Sequence, residues 1–127
     1  MPHNSSRQEI RTAKAPLPAG PYSQGLRVGN RIYVAGQRPE NAATRAIPEE
    51  FQAQARQVLE NIRHILDEAG ATMGHVVKTN VYLTDLANFA AFNQVYAEFF
   101  TAPYPVRTTI ACELRGILVE VDVIAEV

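Results

Sequence analysis

Cysteine is nearly absent from this 127-residue chain, with Cys112 as the only one. A single thiol cannot close an intrachain disulfide or build a cysteine-rich zinc or iron–sulfur cage, so a reducing compartment is the default. Charge of one sign is missing too: 12 Lys+Arg stand against 13 Asp+Glu for a net −1. That balance gives no general reason to bind a phosphate backbone or an anionic membrane, so any anion must be held by a local site. No apolar run approaches the length of a bilayer crossing, and the start, from Met1 to Glu9, lacks the apolar core of a secretory signal. The expectation is a soluble, cytoplasmic protein with neither a nucleic-acid nor a membrane partner. Repeats, low-complexity tracts and long charge blocks are absent as well. What remains is a 46% hydrophobic chain that supports one core of ordinary size, a single domain over 1–127 with residues 1–6 as a loose tail.

Local signals place the elements. A short strand is expected over Glu9 to Thr12, and the prolines 16, 18 and 21 force an irregular loop after it. Gln24 to Val28, Gly29-Asn30 and Arg31 to Gly36 predict a hairpin with a two-residue turn. A helix starts with Pro48 in its first turn and closes at Gly70, with Phe51, Ala55, Val58, Leu59, Ile62, Ile65, Leu66 and Ala69 as its apolar stripe. Val76 to Leu83 is rich in β-branched residues and reads as a strand. Asp85 can cap a second helix, whose stripe is Leu86, Phe89, Phe92, Tyr96, Phe99 and Phe100 and which ends at Pro103 and Pro105.

Arg107 to Glu113 and Leu118 to Glu126 alternate about a turn at Arg115-Gly116, predicting a closing hairpin that pairs 111 with 120, 109 with 122 and 107 with 124. On that register Arg107 and Glu120 share a face, roughly 13 Å apart at the normal strand rise. The order β-β-β-α-β-α-β-β implies an α+β fold, a mostly antiparallel sheet with both helices on one face. In the last strand Val119, Val121 and Val123 face the helices, while Leu118, Glu120, Asp122 and Ile124 point away. A face mixing carboxylates with large aliphatics suits neither core nor solvent, and self-association resolves the conflict.

The runs Gly20-Pro21-Tyr22-Ser23-Gln24-Gly25 and Ala35-Gly36-Gln37 resemble the Rid (YjgF-type) family. So do Gln54 to Asn61, Val77-Lys78-Thr79, Asn93 with Tyr96, Phe99 and Phe100, Pro105-Val106-Arg107 and Val119-Glu120-Val121, in that order, over about residues 8 to 126. The resemblance implies a chorismate-mutase-like fold, a homotrimer with three clefts between subunits, and hydrolysis of enamines or imines with no metal or organic cofactor.

Arg107 is the side chain best shaped to grip a carboxylate through two parallel hydrogen bonds, and a surface arginine paired with Asp122 or Glu113 is its plainer reading. Glu120 is a carboxylate in an otherwise apolar strand, where a charge needs a partner or a task; an intersubunit ion pair is the alternative to general acid–base work. The resemblance assigns substrate carboxylate to Arg107, proton transfer to Glu120 and water holding to the backbone near Thr109. It groups Tyr22, Asn93, Ala35 and Gly36 around the substrate. Tyr22 is equally a residue packed on its own loop, and Asn93 an ordinary polar helix position. Ala35 stands where the family commonly has serine, Thr109 where it often has cysteine, and the 113–117 connection is short. Cys112 falls on the opposite face from Arg107 and reads as an inert core thiol. His3, His64 and His75 have no metal spacing.

The resemblance, carried onto these residues, implies hydrolysis of a 2-imino or 2-enamino acid to a 2-oxo acid and ammonia. The rivals are a non-catalytic, chaperone-like trimer that binds small carboxylates, and an endoribonuclease. The last lacks a basic stripe, a His pair or an aromatic ladder.

Overall fold

The computed structural model describes residues 7–127, so the expected tail over 1–6 lies outside the described residues. The elements are β1 (Arg7–Ile10), β2 (Gly25–Val28), β3 (Arg31–Gln37), α1 (Phe51–Glu68), β4 (Val76–Leu83), α2 (Phe89–Phe99), β5 (Val106–Ala111) and β6 (Val119–Glu126). They form an α+β fold around one six-stranded sheet of order β1-β2-β3-β6-β4-β5. Every neighbouring pair is antiparallel except β4 and β5.

The first hairpin has the expected turn, with Val28 opposite Arg31 and Gly29 at φ +61°. The first strand lies two residues earlier than expected. In α1 the residues Ala55, Val58, Leu59, Ile62, Ile65 and Leu66 are fully buried, and Gly70 at φ +78° follows the C-cap Ala69. Pro48 is not in the first turn. The helix is entered from Glu50, and the Pro48 carbonyl instead accepts a hydrogen bond from Gln54. Asp85 does cap, its carboxylate accepting from the Ala87 N–H, but it starts a single 3₁₀ turn, Leu86–Asn88, that leads into α2. Phe92, Val95, Tyr96 and Phe100 are buried, whereas Leu86 and Phe89 of the expected stripe are 52% and 44% exposed.

The expected closing hairpin does not form. β5 pairs parallel with β4, setting Arg107 beside Thr79, and β6 inserts between β3 and β4. The physical reason is the β4-α2-β5 unit, a strand–helix–strand crossover that returns β5 parallel to β4. Residues 112–118 are then a connection that passes β4, not a tight turn. Two bonds to β4 pin its ends: Cys112 N–H donates to the Leu83 carbonyl and Thr84 N–H to the Leu118 carbonyl.

The central strand alternates as expected: Val119, Val121 and Val123 are buried in the core, while Glu120, Asp122 and Ile124 lie half-buried on the other face. Both helices cover the first face, because α1 packs on β6 and β3 and the Tyr96 hydroxyl of α2 bonds Thr79, which is level with Val123. Among the described residues no helix is long and apolar enough to cross a membrane.

Candidate functional site

Three buried amides fix the backbone that carries the candidate residues. Gln24 holds the proline-rich loop: its Oε1 accepts from Thr12 N–H, and its Nε2 donates to the carbonyls of Thr12, Ala15 and Pro16. Asn61, on the inner side of α1, donates to the carbonyls of Arg38 and Glu40. Gln54 accepts from the Leu118 N–H at the entry to β6. A buried amide that satisfies loop carbonyls exchanges water for fixed partners and makes the loop one conformation.

Arg107 extends from the edge strand β5 toward α2. Its Nη2 donates to Asn93 Oδ1 at 2.6 Å and its Nε to Thr109 Oγ1 at 2.9 Å. The guanidinium carbon lies 4.8 Å from the Tyr96 ring centre and 5.3 Å from those of Phe89 and Phe92. Burial pulls its pKa below the ordinary value, Tyr96 opposing, and it stays cationic at any working pH. A groove of about 330 Å³ opens on it, lined by Asn93, Tyr96, Ala97, Tyr104, Pro105 and Arg107. The alternative reading, a pairing with Asp122 or Glu113, is not what the side chain does: its acceptors are the neutral oxygens of Asn93 and Thr109. Thr109 contributes its hydroxyl, as a brace for the arginine, and Asn93 bonds Arg107 itself.

Glu120 lies on the opposite face of the sheet, so the expectation that it shares a face with Arg107 is corrected. It is level with Tyr82 on β4, three residues from the Thr79 that is level with Arg107, and an odd offset reverses the face. Next to it, across from Asp122, a bulge in β3 spans Ala35 and Gly36. A Cβ on Gly36 would stand 2.2 Å from a Glu120 carboxylate oxygen, so the carboxylate lies in the space that a side chain at this position would take. Burial raises the Glu120 pKa above the usual carboxylate range; Arg38 opposes the rise and Asp122 adds to it. Asp122 accepts from Asn80 Nδ2 and from the Tyr82 hydroxyl, both at 2.9 Å, and that bond with burial raises the Tyr82 pKa.

Tyr22 is 54% exposed, with its hydroxyl accepting from Ala19 N–H in its own loop, and it lines a small groove with Gly36, Gln37 and Arg38. The Ala35 N–H donates to the Gln24 carbonyl. Cys112 is half-buried rather than a core thiol, near enough to Tyr82 to act on its titration. Sequence reasoning missed Arg38, Asn80, Tyr82 and the aromatic Tyr104. The alternation of β4, with Lys78, Asn80 and Tyr82 against Thr79, Val81 and Leu83, carried the signal for two of them.

A family model described as Endoribonuclease L-PSP matches residues 12–127. A RutC family protein of Pyrococcus abyssi is 44% identical over 94% of this chain and 97% of its own length. The 2-iminobutanoate/2-iminopropanoate deaminase of Escherichia coli is 40% identical over 91% of this chain and 94% of its own. Among solved structures, RidA from a Psychrobacter species matches with a TM-score of 0.90 and 43% identity, covering 94% of this chain and 99% of that one. The YjgF gene product of Escherichia coli matches with a TM-score of 0.90 and 40% identity, covering 94% and 98%.

Proposed function

Because the chain belongs to the Endoribonuclease L-PSP family, that of the Rid (YjgF-type) proteins, we propose that it hydrolyses 2-imino and 2-enamino acids to 2-oxo acids and ammonia. The observation that carries this reading is the state of Arg107. It is partly desolvated and braced by Asn93 and Thr109, and among the described residues no carboxylate lies within ion-pair distance. A cation so held keeps in-plane N–H donors on Nη1 and Nη2 for a carboxylate ligand.

In the proposed reaction Arg107 fixes the substrate carboxylate and so the position of C2. Water adds to C2, the π electrons of C=N pass to nitrogen, and nitrogen takes a proton from Glu120. The Glu120 carboxylate takes one proton from the added water and passes it to the amine, ammonia leaves as the oxygen electrons form C=O, and the remaining hydroxyl proton returns to Glu120. Burial that raises the Glu120 pKa favours a carboxyl group that both gives and takes protons. With Arg107 and Glu120 on opposite faces, the proposed site joins Arg107 of one copy to Glu120 of another. A homotrimer with three such clefts also covers the mixed face of Val106, Ile110, Glu120 and Ile124.

The test supplies imines in situ from a panel of amino acids and an amino-acid oxidase, and follows 2-oxo-acid release with and without the protein. Acceleration is expected, with Arg107→Ala abolishing it and Arg107→Lys restoring little. Arg107→Ala activity within a few-fold of the parent contradicts the assignment. Ligand binding without acceleration points instead to the carboxylate-binding reading.

A further inference from the structure

A second arginine, Arg38, shares with Arg107 the feature that marks an unspent charge. The guanidiniums of Arg31, Arg45, Arg56 and Arg63 meet carboxylates within 4 Å. That of Arg38 is instead fixed by a neutral acceptor, its Nη1 donating to the Arg115 carbonyl at 3.0 Å. Its backbone is fixed as well, by the fully buried Asn61. Arg27 also donates to carbonyls, but one is Ala69 at the C-terminus of α1, where the helix dipole accounts for a cation.

The place of Arg38 is specific. Gln37–Val121 is the last pair of β3 and β6; that register extended one step places Arg38 across from Glu120, whose pKa the Arg38 charge lowers, and one step back places Gly36 across from Asp122. Directly opposed residues share a face, with Cβ atoms about 5 Å apart. The Glu120 carboxylate leans over Gly36, and Gly36 and Arg38 line one groove together with Tyr22, Leu17 and Glu40, the last of which is paired with Arg45.

On the reading that Glu120 transfers protons at C2 while Arg107 takes the C1 carboxylate, we infer that the site takes 2-imino acids bearing a second carboxylate, which Arg38 holds. The substituent on C2 leaves the reacting carbon beside Glu120, and a chain of one or two carbons brings its terminal carboxylate to the cross-strand neighbour. Bidentate arginine–carboxylate pairing there favours such a substrate over one with an alkyl chain.

The experiment compares imines made in situ from aspartate and glutamate with that from alanine, for the parent, Arg38→Met and Arg38→Lys. Met keeps the length of the stem, and thermal melting checks the fold. The parent is expected to prefer the dicarboxylates in kcat/KM, Arg38→Met to lower the dicarboxylate-to-monocarboxylate ratio at least tenfold, and Arg38→Lys to keep part of it. A parent without the preference, or an Arg38→Met variant that slows all three imines by one factor, overturns the inference; the latter leaves Arg38 as a modifier of Glu120. If the parent turns over no imine, the reaction itself is wrong. Calorimetric binding of 2-oxoglutarate against 2-oxobutanoate then decides on Arg38, with loss of the difference in Arg38→Met supporting the inference and an unchanged difference refuting it.

Discussion

At the scale of single residues, the site depends on how two charges of opposite sign are left incompletely satisfied. Arg107 keeps its charge under aromatic rings, and Glu120 bears the cost of its own ionisation. A carboxyl whose folded-state pKa lies above the unfolded value binds its proton more tightly when folded, so stability falls as pH rises from the ordinary carboxylate range through the raised value. Glu120→Gln removes that cost. The variant is expected to melt above the parent at neutral pH, with the gap closing on acidification below the usual carboxylate range. Its kcat should fall by roughly two to four orders of magnitude with product affinity nearly unchanged. A melting gap that does not change with pH, or normal turnover, removes Glu120 from this role. If the residue serves an intersubunit ion pair instead, the same change loosens the assembly.

At the scale of elements, legibility followed the range of the signal. The stripe of α1 and the Gly29-Asn30 hairpin are local patterns, and both were readable. The partners of β5 and β6 were not, because two alternating runs about a turn look the same whether they pair or are parted by β4. The fault passed directly to the site: a hairpin register set Arg107 and Glu120 on one face, and the observed order sets them on two. Arg107, Glu120 and Asn93 stood out as residue types, while Arg38, Asn80 and Tyr82 become neighbours of Glu120 only through the strand order. Loops depend on the elements through buried amides, which gives a separate test. Gln24→Leu strands the Thr12 N–H and the loop carbonyls, so a loss of about 2–4 kcal/mol in unfolding free energy is expected by chemical denaturation. A loss below about 0.5 kcal/mol indicates a loop held by other contacts.

At the scale of the whole molecule, opposite faces make the proposed site a matter of assembly, and inactive variants can show it. Arg107→Ala and Glu120→Gln chains, mixed equally, unfolded together and refolded, leave about a quarter of composite sites with both groups intact in random trimers. Recovery of about that share of parent activity is expected, whereas none, with mixed trimers verified by mass, confines the site to one chain. The strand order has a further consequence, in time. β6 alone joins β1-β2-β3 to β4-β5, yet of these six strands it is the last that the ribosome makes. Until it emerges, β3 and β4 each hold out a raw edge of unpaired amides, the kind that recruits strands from other chains. A nascent chain stalled before Val119 is thus two half-sheets awaiting a common neighbour, and the final eight-residue strand turns them into one protein.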